Sequence, residues 1–78
     1  MQVTLKMPKV GDAANKVLVI EVKAKPGDRL AEGNLLMLVE TDKASVEVPS
    51  PMAGTVVEVM IAAGEEVATG APTFTIEN

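Results

Sequence analysis

The sequence predicts an all-β fold, a sandwich or flattened barrel with internal pseudo-two-fold symmetry, from three observations. First, the 78 residues are 47% hydrophobic, mostly Val, Leu and Ile with one aromatic, Phe74, and β-branched residues favour a pleated, half-buried surface. Second, short apolar runs alternate with Gly- and Pro-containing segments, whereas helical periodicity is poor. Third, the chain resembles itself. The length predicts one domain, residues 1–78.

The self-resemblance divides the chain into two halves. At an offset of 37, residues 19–22 (VIEV) fall on residues 56–59 (VVEV). At an offset of 41, residues 5–8 (LKMP) resemble residues 46–49 (VEVP). Repeats of fixed period predict repeated supersecondary structure, and two copies predict a two-fold arrangement. The difference, 41 − 37 = 4, predicts a longer connection in the first half, at residues 11–16 (GDAANK).

Each strand is predicted from its composition and the turn residues beside it. The long candidates are residues 3–7, 17–25, 35–40, 45–49, 55–61 and 73–77. Two short candidates are residues 29–30 and 66–67. Gly27 and Gly64 lie at equivalent positions and predict turns that need a positive φ or a close backbone approach.

Alternation within the two longest matching strands predicts which side chains enter the core. The predicted inward set is Leu18, Ile20, Val22 and Ala24 in the first half, and Val57, Val59 and Ile61 in the second. Glu21 and Glu58 lie between them and are predicted to face solvent.

Charge and missing residue types exclude several functions. The net charge is −4, with 7 basic and 11 acidic residues interspersed, whereas nucleic-acid binding needs a basic stripe. No apolar run approaches the ~18 residues of a membrane span, so we expect no membrane partner. Without His or Cys, we expect no catalytic residues and no metal site.

One lysine lies at a position where a reactive group could be attached to the protein. Residues 35–48 read LLMLVETDKASVEV, which predicts a hairpin with Lys43 in its polar tip. Asp42 suits a turn because its side chain can bond nearby amides, and Ala44 leaves the approach to Lys43 open. A surface lysine in a polar turn is also what an ordinary solvated hairpin contains.

The residues around Lys43 carry a family resemblance. The uninterrupted segment 40–51, ETDKASVEVPSP, resembles the lipoyl-attachment segment of the lipoyl domains of 2-oxo acid dehydrogenase complexes. Residues 26–28 (PGD), 53–56 (AGTV) and 64–67 (GEEV) agree with the same family, so that the similarity spans nearly the whole chain. The resemblance implies a flattened barrel of two four-stranded sheets, with lipoate in amide linkage on Lys43.

The resemblance also implies a carrier with no catalysis of its own, within a dihydrolipoyl acyltransferase or dihydrolipoamide dehydrogenase. Its partners would be a thiamine-diphosphate-dependent 2-oxo acid decarboxylase, a dihydrolipoyl acyltransferase, a dihydrolipoamide dehydrogenase and a lipoylating enzyme. The residues expected to contribute to recognition are Glu40, Asp42, Ala44, Gly11, Asp12 and Asn15. An isolated domain is expected to be monomeric, in a bacterial cytoplasm or the mitochondrial matrix.

Three other interpretations are compatible with the sequence. A biotinyl carrier domain shares the fold and the lysine hairpin, but resembles Met-Lys-Met at its modified site where this chain has Asp-Lys-Ala. An unmodified structural domain of the same fold is a second alternative, since fold alone does not fix function. An autonomous enzyme would have to use Ser45 or Ser50 without a His or Cys. Among the 2-oxo acid dehydrogenase complexes, residues 42–45 (DKAS) and 47–49 (EVP) resemble the pyruvate type more than the 2-oxoglutarate type.

Overall fold

The computed structural model describes residues 1–9, 15–42 and 44–78, and every regular element in these ranges is a β-strand. The eight strands are β1 (Gln2–Lys6), β2 (Lys16–Val22), β3 (Arg29–Leu30), β4 (Leu35–Glu40), β5 (Ser45–Pro49), β6 (Gly54–Val59), β7 (Glu66–Ala68) and β8 (Pro72–Glu77). All eight predicted strands are present, although β2 and β6 end before the predicted residues 25 and 61. The all-β class is confirmed.

The strands form two antiparallel four-stranded sheets that are copies of one arrangement. One sheet has the order β1-β8-β6-β3, and we call it the terminal sheet because it contains the first and last strands. The other has the order β5-β4-β2-β7, and we call it the hairpin sheet because β4 and β5 flank Lys43. Replacing each strand by its equivalent in the other half converts one order into the other, which confirms the predicted pseudo-two-fold symmetry.

The strand register corrects one part of the sequence repeat. Leu5 pairs with Phe74 and Val48 pairs with Met37. Phe74 and Met37 are 37 residues apart, whereas Leu5 and Val48 are 43 apart. The offset of 41 between the first strands of the halves was therefore wrong by two residues, which strand alternation alone cannot detect. The first-half connection is longer by 43 − 37 = 6 residues, not by four.

The core lies between the two sheets and draws on both. Phe74 and Ile76 of the terminal sheet, and Val19 and Val39 of the hairpin sheet, are fully buried. At roughly 1.5–3 kcal/mol for each buried side chain of this size, the inner faces supply most of the free energy that favours folding. The buried side chains hold the central strands β2, β4 and β8 against the core.

Two bulges overturn the predicted inward set at three of its seven positions. Leu18, Ile20 and Val57 are 38%, 38% and 41% exposed, and the buried residues are instead their neighbours Val17, Val19 and Val56. The register shifts between Val19 and Glu21, and between Val56 and Glu58. Because a bulge inserts an extra residue, it reverses the alternation beyond it. The inner face therefore resumes at Val22 and Val59, which are partly buried against the core.

The predicted glycine turns connect the two sheets. Gly27 and Gly64 have φ values of +94° and +88°, a region that other residues rarely adopt. The Gly27 amide donates to the Val56 carbonyl at 2.8 Å, and the Gly64 amide donates to the Val19 carbonyl at 2.7 Å. Each turn therefore fastens one half to the bulged strand of the other.

The tip of the lysine hairpin has a defined counterpart in the other half. Glu40 pairs with Ser45 in the hairpin sheet, and the equivalent pair in the terminal sheet is Glu77 with Gln2. Beyond that second pair, Met1 and Asn78 exchange backbone hydrogen bonds. The lysine hairpin thus stands where, in the other half, the two ends of the chain meet.

Candidate functional site: the lysine hairpin

The lysine hairpin joins a central strand of its sheet, β4, to an edge strand, β5. β4 is a central strand that pairs with both β2 and β5, and Val39, one residue before its end, is fully buried. Glu40 and Ser45 form the last cross-strand pair before the chain reverses. The predicted strand-to-strand reversal around residue 43 is therefore confirmed.

Thr41 closes the tip through its backbone and its side chain. The Thr41 amide donates to the Ala44 carbonyl at 2.9 Å. The Thr41 hydroxyl donates to the same carbonyl at 3.1 Å and accepts from the Ala44 amide at 3.3 Å. Thr41 is not among the predicted site residues, although a hydroxyl residue just before a turn is a recognised signal for this type of closure.

The predicted site residues fall into two groups. Lys43, Gly11 and Asp12 lie outside the described residues, so their assignments remain predictions. Asp42 and Ala44, which flank Lys43, are both exposed. The chain on either side of residue 43 is therefore open to an approaching enzyme.

Glu40 and Asn15 belong to the same end of the hairpin sheet. Glu40 is exposed and pairs across the strands with Leu18. Since β2 runs antiparallel to β4, residues before Leu18 extend towards the tip. Asn15 is exposed, and its carbonyl accepts a 2.8 Å bond from the Thr69 amide. The structure therefore brings Asn15 and Glu40 to one end of the sheet, while their role in recognition is untested.

The described part of the chain offers few other sites for chemistry. It contains no group of three His, Cys, Asp or Glu residues placed to hold a metal ion. No helix in it is long and apolar enough to cross a membrane. An open groove of about 550 Å³ runs between the sheet edges β1 and β5, and residues such as Leu5, Met37 and Pro51 give it a largely apolar lining.

Comparison with known proteins identifies the family of the chain. The biotin/lipoyl family model, described as "Biotin-requiring enzyme", matches residues 3–76. The chain is 47% identical over 66 residues to the dihydrolipoyllysine-residue acetyltransferase component of the pyruvate dehydrogenase complex of Pseudomonas aeruginosa. It is 40% identical over 73 residues to the lipoamide acyltransferase component of the branched-chain alpha-keto acid dehydrogenase complex of Pseudomonas putida.

These matches cover most of this chain and a small part of each relative. They span 85% and 94% of this chain, but 12% and 17% of the two relatives. The solution structure of the lipoyl domain of the 2-oxoglutarate dehydrogenase complex from Azotobacter vinelandii superposes with a TM-score of 0.76. That match covers 96% of this chain and 95% of the other at 24% identity, and supports the fold. The chain belongs to the biotin/lipoyl attachment family, as a lipoyl domain of the kind found in the acyltransferases of 2-oxo acid dehydrogenase complexes.

Proposed function

We propose that Lys43 carries lipoate in amide linkage on its side-chain nitrogen, and that the chain is the swinging-arm carrier domain of a 2-oxo acid dehydrogenase complex. One observation carries the proposal. Residues 40–51 resemble a lipoyl-attachment site, and within this segment the chain reverses direction between the paired residues Glu40 and Ser45. The acyltransferases to which the chain is similar support the same function.

The described residues around the tip suit a covalently attached arm. Asp42 and Ala44 are exposed, so a group attached between them has room to extend away from the sheet. Lipoate, when bound, supplies a strained disulfide that accepts an acyl group and two electrons, and its thiols are reoxidised after the acyl group leaves. Lipoate is favoured over biotin because Asp42-Lys43-Ala44 departs from the Met-Lys-Met that biotinyl sites resemble.

The protein contributes a rigid base for the arm. The Thr41–Ala44 bonds close the tip, and the buried Val39 fixes the end of β4 in the core. A tether on a fixed base turns each encounter between partners into an intramolecular step at raised effective concentration. Enzymes that recognise the folded hairpin can then accept this arm and reject free lipoamide.

The partners follow from this carrier function. A thiamine-diphosphate-dependent decarboxylase would load the arm, an acyltransferase would remove the acyl group to coenzyme A, and a dihydrolipoamide dehydrogenase would restore the disulfide. We propose pyruvate as the 2-oxo acid and an acyltransferase as the parent protein. The complex would reside in a bacterial cytoplasm or the mitochondrial matrix.

Intact mass measurement tests the attachment directly. The chain is expressed with an active lipoylating enzyme and lipoate, and its mass is compared with that of the Lys43→Arg variant. We expect the parent chain to gain the mass of one lipoyl group and the variant to gain none, with fragment spectra placing the group on Lys43. A biotin adduct, a lipoyl group on another lysine, or an unmodified parent chain would refute the proposal.

A further inference from the structure

The outer face of the hairpin sheet combines apolar and acidic side chains in a regular pattern. Leu18 is 38% exposed and lies between Glu40 and Glu66 in the cross-strand register. Leu38 lies between Glu21 and Glu47 in the next row. Residues that pair across strands point to the same side of the sheet. This surface, which we call the leucine–glutamate face, thus has two leucines, each between two glutamates.

The equivalent face of the terminal sheet shows that the fold does not require these leucines. The position equivalent to Leu18 is Thr55, which lies between Arg29 and Glu77. The two sheets share one strand order and equivalent bulges, so the scaffold places similar demands on both outer faces. A threonine suffices on one face where a partly exposed leucine stands on the other.

The position of Leu38, the second leucine, leads to the same conclusion. The position equivalent to Leu38 is Thr75, whose cross-strand neighbours are Thr4 and Glu58. Both leucine positions of the hairpin sheet are therefore threonines in the terminal sheet. Since threonine is a good strand residue, the leucines add an apolar surface that the strand geometry does not demand.

Two of the four glutamates carry charge that the described residues do not neutralise. Glu66 pairs with Lys16 at 3.3 Å, and Glu21 pairs with Lys23 at 3.0 Å. Within the described ranges, Glu40 and Glu47 form no ion pair, and both lie on the strands of the lysine hairpin. This charge opposes stacking of two such faces, because like charges would meet. The face instead suits an apolar surface bordered by Arg or Lys.

The face is continuous with the hairpin tip. Leu18 pairs with Glu40, and Glu40 pairs with Ser45 immediately before the tip. The row of Leu38 is two residues further down β4, about 7 Å at the usual rise of a strand. A protein that takes in an arm anchored at residue 43 can therefore contact both rows at the same time.

We propose that the leucine–glutamate face is the docking surface for the decarboxylase that loads the arm, which meets it with an apolar patch bordered by basic residues. This rests on the proposed function of Lys43. A lipoylating enzyme must bring its reactive centre to the lysine nitrogen itself. A decarboxylase centre lies a full arm length beyond the tip, so that its surface around the entrance can extend over the sheet.

The test uses the lipoylated domain and a pyruvate dehydrogenase decarboxylase component that acetylates the unaltered domain. The double variant Leu18→Thr/Leu38→Thr installs the residue type of the terminal sheet. We expect it to raise KM for the domain by about tenfold, as loss of central interface contacts does, with kcat nearly unchanged. The control is Val57→Thr on the terminal sheet, which removes a comparably exposed apolar side chain and should leave KM within about twofold.

Charge is tested separately with exposed residues whose removal the fold tolerates. Glu40→Gln/Glu47→Gln should raise KM several-fold and flatten its dependence on salt concentration, because steering between opposite charges is screened by salt. Glu58→Gln/Glu77→Gln on the terminal sheet should do neither. These variants decide the proposal even if the leucine variant unfolds.

The outcomes separate the two proposals. A domain that carries no lipoyl group by intact mass would refute the function proposed for Lys43. If instead the domain is lipoylated and acetylated, and the hairpin-sheet variants match the terminal-sheet controls in KM, the docking surface is refuted and the carrier function stands. A loss confined to lipoylation, with unchanged acetylation of the lipoylated domain, would refute the decarboxylase as the occupant.

Discussion

Replacing Thr41 by Val tests whether closure of the hairpin tip matters for modification of Lys43. The substitution keeps the shape of the side chain and removes the hydroxyl that bonds both the amide and the carbonyl of Ala44. The bond from the Thr41 amide to that carbonyl, 2.9 Å long, is unaffected. The change therefore removes the hydroxyl's two bonds to Ala44 and retains the backbone bond.

The expected loss is small and local. A typical intramolecular hydrogen bond contributes about 0.5–1.5 kcal/mol net, and water can replace part of it because Ala44 is exposed. We therefore expect the closed conformation of the tip to be about 1 kcal/mol less stable in the Thr41→Val variant. This corresponds to about fivefold faster hydrogen exchange at the Ala44 amide. The global free energy of unfolding should fall by at most the same amount, because the core is untouched.

Hydrogen exchange by NMR and the rate of lipoylation are the two measurements. If the lipoylating enzyme selects the closed tip, kcat/KM for lipoylation should fall by up to about fivefold. Thr41→Ser is the matched control, since it retains the hydroxyl and should behave nearly as the parent chain does. Equal exchange and lipoylation rates in the Val and Ser variants would show that the hydroxyl does not control the tip.

Three other predictions concern the core, a close backbone contact and the position of the lysine. Gly54→Ala should destabilise the domain by about 2–4 kcal/mol in denaturant titration, because a Cβ there would lie 2.5 Å from an Ile76 methyl group. Gly64→Ala meets no atom within 4 Å, and should cost only the ~1–2 kcal/mol of its positive φ. Phe74→Ala should cost about 3–5 kcal/mol, close to the whole stability expected of so small a domain, and retention of a cooperative thermal transition near that of the parent would contradict this. Exchanging Lys43 with Ala44 should abolish or sharply reduce lipoylation, and undiminished modification of the moved lysine by mass spectrometry would count against a positional requirement.

The strands and the symmetry could be predicted because they depend on patterns within short segments. Alternating apolar residues and Gly or Pro boundaries located all eight strands, including the two-residue β3. The bulges could not be located in this way, because nothing local distinguishes Ile20 from Val22. Their opposite orientations depend on how β2 pairs with β4. The two-residue error in the repeat of the first strands has the same origin, since an even shift leaves the alternation unchanged.

The candidate site was predictable to a similar extent. The segment around Lys43 identified the hairpin, and the structure confirms the reversal between Glu40 and Ser45. The closure by Thr41 was not predicted, although a hydroxyl residue just before a turn is a signal for it, because its bonds run to backbone atoms of Ala44 that any residue there would offer. The leucine–glutamate face could not be found from sequence either, because Leu18 and Glu40 are 22 positions apart in the chain and become neighbours only through the register.

Reductive acetylation of the lipoylated domain is the most direct test of the carrier function. The domain is incubated with pyruvate, thiamine diphosphate and a pyruvate dehydrogenase decarboxylase component, and its intact mass is followed over time. We expect a gain of one acetyl group and one hydrogen, the acetyl group on one sulfur and the hydrogen on the other sulfur of the group attached to Lys43, and no gain in the Lys43→Arg variant. A fully lipoylated domain that none of the pyruvate, branched-chain or 2-oxoglutarate decarboxylases acylates would contradict the carrier function.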